Sequence, residues 1–217
     1  MALLKGKFSE IPSDAVILSE DDAVRYQTKV LKDWKKKSDV WAFNHGSTIL
    51  ASVSAISGIY INNYYRLKFR LAHYGQIATY LPVCIIPAAM SFVLHSTFVL
   101  PSVVLQKDCA VCIEMRASAI QAGMGSVFPA VLAPIAASSL ALRYNTYQVP
   151  YLVKEPMKVF QLWKKQTKPI SNILFAIFVG QALLGSLVTY LEAKSIERVN
   201  DKLTLLGYEL ERQDELM

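Results

Sequence analysis

The sequence predicts an all-α fold: an integral membrane four-helix bundle with amphipathic N- and C-terminal helices. Three observations predict it. Of 217 residues, 53% are hydrophobic and only 18% charged, where soluble domains usually carry about 25%. The charges are also unevenly spread. Of 17 acidic residues, seven precede residue 40, seven follow residue 191, and none lies between residues 40 and 106. An ionised group at mid-bilayer costs roughly 2.5–3.5 kcal/mol on insertion scales, so a bilayer selects such charge deserts. Third, residues 40–65, 76–100, 117–142 and 170–191 each supply the ~20 largely apolar residues of a spanning helix, and none of the four contains Asp, Glu, Lys or Arg.

Residues 1–39 form an N-terminal unit. Residues 1–18 read as an irregular arm broken by Pro12, with neither the apolar core of a signal peptide nor the Arg-rich, acid-poor composition of a transit peptide. Ser19 and Asp22 then make a capping-box pattern, and Val24, Thr28, Leu31 and Trp34 recur at helical spacing up to Lys35-Lys36-Lys37. The four spans occupy residues 40–191. Their first connector is short and basic, with Arg66, Lys68 and Arg70 among Tyr64, Tyr65 and Tyr74. The second holds Cys109 and Cys112. The third is the longest, carries Arg143, Tyr144, Trp163, Lys164 and Lys165, and predicts a short surface helix over 157–166. Basic and aromatic residues at such positions fit lipid headgroups or a partner protein. In the tail, residues 192–217, Ile196, Val199, Leu203, Leu206 and Leu210 make an amphipathic stripe.

No catalytic constellation, metal-ligand set, cofactor motif or nucleic-acid-binding pattern stands out. Cys109 and Cys112 are compatible with a disulfide, a redox pair, half a zinc site or two free thiols. Zinc needs about four ligands, and His45, His73 and His95 are scattered over separate segments. His45 and His95 have no acid within the spans, which reads as packing rather than proton transfer. The clearest signal inside the spans is small residues at four-residue steps: Ser47, Ala51, Ala55 with Gly58 beside them; Ala119 and Gly123; Ala133, Ala137 and Ala141; Ala176 and Gly180. Such faces let helices approach closely, within the chain or against a partner. Gly123→Leu is therefore expected to disturb assembly more than Ala110→Leu. Pro129 and Pro134 are expected to kink the third span.

Four spans put both termini on one side. The first and third connectors hold nine Lys or Arg and the middle one two. The positive-inside bias places the first and third on the matrix or cytoplasmic side, with the termini and the cysteines opposite. Six basic residues between Arg25 and Lys37 argue the other way.

Cys109-x-x-Cys112, Arg116-x-Ser118, the Gly123 and Gly125 pair, Phe128-Pro129, Pro134 and Leu140-Ala-Leu-Arg143-Tyr144 together resemble the transmembrane protein 126 family. So do Asn62-Asn-Tyr-Tyr-Arg66 and Trp163 followed by Lys168-Pro169. The likeness spans roughly residues 40–190. It implies a four-span, multi-pass mitochondrial inner-membrane protein without enzymatic activity or cofactor. It further implies a chaperone-like role in assembly of respiratory complex I, through protein–protein interaction with membrane-arm subunits and assembly factors, an acyl-CoA-dehydrogenase-like protein among them. Two other classes compete. A small transporter or channel needs a polar lining, and a membrane-bound thiol redox protein needs Cys109 and Cys112 beside a quinone or haem pocket.

Overall fold

The computed structural model describes residues 18–150 and 155–214, and among these the chain is helical with no strand. The helices are α1 (Glu20–Lys32), α2 (Trp41–Lys68), α3 (Gln76–Leu105), α4 (Ala110–Tyr144), α5 (Pro156–Thr167) and α6 (Ser171–Asp214). The arm up to residue 17 and residues 151–154 lie outside the described residues. α1 starts where its capping box predicts: Ser19 Oγ accepts from the Asp22 amide at 3.2 Å. It ends earlier than the stripe suggested, leaving Lys35, Lys36 and Lys37 in the link to α2.

Among the described residues three helical runs, not four, are long and apolar enough to cross a membrane: α3, α4 and the continuous run from α5 into α6. With 28 residues, α2 reaches ~42 Å and has the length. Its serines and asparagines lower its apolarity. Position explains them: α2 packs on α3, α4 and α6 together, and Ser47, Ser54, Ser57 and Asn62 are buried there. These polar side chains face other helices, while Ile56 and Ile59 on its outer side are exposed.

The expected boundary at residue 191 is not a break. α6 continues for 44 residues, ~66 Å, about twice a bilayer's hydrocarbon core. Ile196 and Val199 are buried beside Leu31 of α1, with Leu203 and Trp34 packed around them. The N- and C-terminal helices thus meet at one end of the bundle, while Leu206 is exposed.

Prolines shape the long helices without ending them. Wide π-helical turns occupy Leu81–Ile85, His95–Val99 and Gly123–Val127. Each stops two residues before a proline: Pro87, Pro101 and Pro129. A proline ring collides with the carbonyl four residues back and leaves it without its amide. A π turn opens the backbone there. Two of the carbonyls so released meet α2. Ser57 Oγ donates to Gly125 O, and Gly58 lies so close to Val83 O that a Cβ on it would stand 2.9 Å away. The kink expected at Pro129 is therefore a widened turn used as a contact. Pro134 sits within the α-helical part of α4.

Buried side chains form three tiers. At the end where α1 and the α6 tail meet lie Val40, Phe43, Val103, Ile113 and Ile196. At the other end lie Ile61, Tyr65, Phe69, Val83, Ala133, Ala137 and Ala141. Between them Gln121 and Gln181, both almost fully buried, make a polar layer.

Candidate functional site

The first candidate is the end formed by the α2–α3 turn, the C-terminus of α4, and α5. Lys68, Arg70, Arg143, Tyr144, Lys164 and Lys165 are all exposed there. Tyr74 stacks on Tyr144 with centroids 5.0 Å apart, and the Arg143 guanidinium lies 5.9 Å from the Tyr144 ring centre. Lys68 Nζ lies 5.5 Å from the centre of Tyr64, whose hydroxyl donates to Gln166 O at 2.9 Å. Thus the first and third connectors, distant in sequence, share one surface.

Two residues expected on that surface are not there. Trp163 packs against the cluster of Tyr65, Phe69 and Val149, and its buried Nε1 has no hydrogen-bond partner among the described residues. Arg66 is buried, and its fork is consumed by the turn that follows it. Nη1 donates to Thr79 Oγ1 at 2.9 Å and Gly75 O at 3.4 Å, and Nη2 to Ala72 O at 2.7 Å and Tyr74 O at 3.0 Å. The turn needs this support because Arg70, Ala72 and Gly75 all have positive φ, of 55°, 40° and 57°; only the glycine adopts such angles without strain. Arg66→Met is expected to cost about 1.5–3 kcal/mol, the range for hydrogen bonds to a charged group. Arg66→Lys should recover only part, because an ammonium lacks the planar fork. Thermal midpoints of the detergent-solubilised protein test this; equal midpoints for Arg66→Met and wild type would refute it.

The second candidate lies at the opposite end. A cavity of about 550 Å³ opens between the end of α3, the start of α4 and residues 189–204 of α6, lined by Asp108, Glu114, Lys194, Glu197 and Asp201 among others. Cys109, the N-cap of α4 between the lining residues Asp108 and Ala110, and Cys112 one turn on are exposed free thiols. The backbone amide of Cys112, its thiol and the Val111 amide favour the Cys109 thiolate, so its pKa lies below the ordinary thiol value. Thiolates are the reacting form. The Cys112→Ser protein is expected to alkylate with iodoacetamide several-fold faster than the Cys109→Ser protein at about pH 7–8; equal rates in a stopped time course would overturn this. Among the described residues, no group of three or more His, Cys, Asp or Glu could hold a metal ion.

Sequence reasoning missed the buried polar core. His95 does have an acidic partner: Nε2 lies 2.9 Å from Glu192 Oε2 and 3.2 Å from Oε1, with both side chains almost fully buried. Glu192 is the first residue past the expected end of the fourth span, so a helix cut at residue 191 hides it. Gly46 makes room, since a Cβ there would collide with the Glu192 carboxylate and stand 2.9 Å from Val188. In the middle tier, Gln121 Nε2 donates to Gln181 Oε1 at 2.6 Å, Ser54 Oγ at 3.0 Å and Leu50 O at 3.1 Å, and Ser91 Oγ donates to Gln121 Oε1 at 2.7 Å. Gln181 Nε2 donates in turn to Ser57 Oγ at 3.0 Å. A glutamine inside each of two largely apolar spans was the visible signal.

Small residues divide. Ser47 and Gly58 are buried, and Ala51 and Ala55 half-buried. Ala119, Ala176 and Gly180 are exposed, and nothing lies within 4 Å of a Cβ built on Gly123 or Gly180. Gly123 is therefore not on a close-packed face within the chain, and the expectation for Gly123→Leu loses its basis there. The close contacts fall at Gly46, Gly58, Gly125 and Gly185. On α4 the buried stripe runs Ala117, Gln121, Gly125, Pro129, Ala133, Ala137, Ala141, two positions away from the Ala119–Gly123 pair.

Fold and sites together define a polytopic helical membrane protein whose described residues carry polar groups for packing and charged groups at both ends. The chain matches the family described as transmembrane protein 126 over residues 22–204, and it belongs to that family. It is 41% identical to Transmembrane protein 126 of Drosophila melanogaster over 217 residues, 99% of this chain and 96% of that one. It is 24% identical to Transmembrane protein 126A of Rattus norvegicus, covering 70% of this chain and 76% of the relative. For Transmembrane protein 126A of Pongo abelii the identity is 27%, covering 65% and 72%. No solved structure matches the chain.

Proposed function

We propose that this chain is a non-enzymatic, multi-pass protein of the mitochondrial inner membrane that assists assembly of respiratory complex I by holding membrane-arm subunits and assembly factors. The observation that carries this reading is membership of the transmembrane protein 126 family along most of the chain. In this reading α2 is a fourth crossing, shielded by α3, α4 and α6, and the molecule is a four-helix bundle with appended amphipathic helices. Ala119, Ala176 and Gly180, unused by the chain's own packing, are left for a partner's helices. The end bearing Lys68, Arg70, Arg143, Lys164 and Lys165 faces the matrix under the positive-inside bias. The six bases between Arg25 and Lys37 that argued otherwise share their end with many acids; there Lys107 pairs with Glu20, Arg116 with Asp108 and Lys202 with Asp39.

Affinity purification from mitochondria in mild detergent tests the proposal. Complex I membrane-arm subunits or their assembly factors, including an acyl-CoA-dehydrogenase-like protein, are expected to co-purify in stoichiometric amounts. Their absence relative to an unrelated inner-membrane protein would refute it. The buried pair His95–Glu192 and the Gln121–Gln181 layer favour the rival transporter reading, because polar groups inside a membrane often line a path. These groups are satisfied by one another in a packed interior, and flux of ions or small solutes in proteoliposomes would separate the two readings.

A further inference from the structure

Exposed apolar side chains run along α6 from Ile173 to Leu191 and along α3 from Ile77 to Phe98, and this belt is the surface a bilayer's hydrocarbon would cover. Lys68, Lys164, Lys165 and Lys168 lie just outside one edge of it. All four are exposed, and none is paired with an acid among the described residues. The acid at that end, Glu155, is taken by Lys158 at 2.7 Å. The lysines converge because Tyr64 connects them: Lys68 lies against its ring, and its hydroxyl holds the backbone at Gln166, between Lys165 and Lys168. α5 turns Val159 and Leu162 inward and leaves Met157 and Phe160 exposed, 69% and 60%. At 100° per residue these two share their face with Lys164 and Lys168. A face pairing large apolar side chains with uncompensated lysines at the boundary of an apolar belt has the composition of an interfacial helix on an anionic membrane.

We propose that Lys68, Lys164, Lys165 and Lys168, with Met157 and Phe160, bind the phosphate headgroups of anionic phospholipids, the phosphates meeting the ammonium groups and the acyl chains meeting the apolar pair. An acidic polypeptide would be drawn by the same charge but would not call for exposed apolar residues at the belt's edge. This binding is independent of any role in complex assembly.

The test uses the full chain in nanodiscs of phosphatidylcholine containing about one-fifth phosphatidylglycerol, with retained lipid counted by native mass spectrometry. The wild type should retain phosphatidylglycerol above its share of the bilayer, and raised salt should abolish the excess. Each lysine near the surface is worth about fivefold in affinity, so Lys164→Gln with Lys165→Gln should lose at least about tenfold, and the quadruple Lys→Gln protein more. A charge-matched control with Lys29, Lys32, Lys35 and Lys36 all changed to Gln should keep the excess. The double variant alters only exposed side chains, so it stays informative if the quadruple fails to fold. Equal losses in the control, a salt-insensitive excess, no excess in the wild type, or enrichment only of acidic polypeptides would each overturn the proposal.

Discussion

His95→Leu is expected to destabilise the protein by at least about 1–3 kcal/mol, the usual consequence of leaving a buried polar group without its hydrogen-bond partner. The leucine removes the group that Glu192 meets within hydrogen-bond distance inside the packing of α2, α3 and α6. Glu192→Gln should cost less, since the amide still offers His95 Nε2 a hydrogen-bonding group of the same shape. The double variant His95→Leu, Glu192→Leu should regain much of the loss, because apolar replacements of a buried pair are often near neutral. Thermal midpoints of the three proteins in one detergent give the comparison. If the double variant is as unstable as the sum of the single ones, the pair is not the source of the effect.

The second large effect concerns the crossing of α4 and α6. A Cβ on Gly185 would stand 2.9 Å from Ala117 O and 3.0 Å from Ser118 Cα. Both are backbone atoms that cannot step aside, so even Gly185→Ala should cost about 1–3 kcal/mol. Gly185→Leu should prevent recovery of a monodisperse protein. Gly180→Ala, made into open space five residues earlier, should instead gain about 0.5–1 kcal/mol from lower backbone entropy in the unfolded chain. Size-exclusion profiles and midpoints side by side decide it; similar behaviour of the two alanine variants would contradict this account of the crossing.

The helical class, the charge desert, the α1 cap and the basic connectors were legible in the sequence because each follows from composition or from a local pattern. The partner of His95 was not. Its acid lies 97 residues away, just past the expected end of the last span, and a stripe of apolar residues in the tail does not say that Glu192 itself turns into the bundle. Arg66 looked like a surface cation because it stands among Lys68 and Arg70. Only the turn's three left-handed residues, invisible to periodicity, explain why it folds inward. The small residues misled for a different reason. Ala133, Ala137 and Ala141 are fully buried as their spacing suggested, whereas Ala119 and Gly123 belong to another face. A four-residue step identifies residues that share a face but does not say what that face meets.

The π turns bear on how relatives of this chain should be compared. A widened turn holds one more residue than the α-helix would, so everything after it is rotated by about 100° about the axis. On α4 the buried stripe advances in steps of four, overshooting a 3.6-residue turn by about 40° each time. The turn at Gly123–Val127 gives back part of that drift and keeps Ala117 and Ala141 in the same interior. A one-residue deletion within residues 123–127 would therefore leave the span nearly unchanged in length while swinging Ala133, Ala137 and Ala141 out of register with α2. Among homologues, a single-residue gap at 81–85, 95–99 or 123–127 is a change of phase, and the proline two residues beyond shows whether a sequence retains the phase seen here.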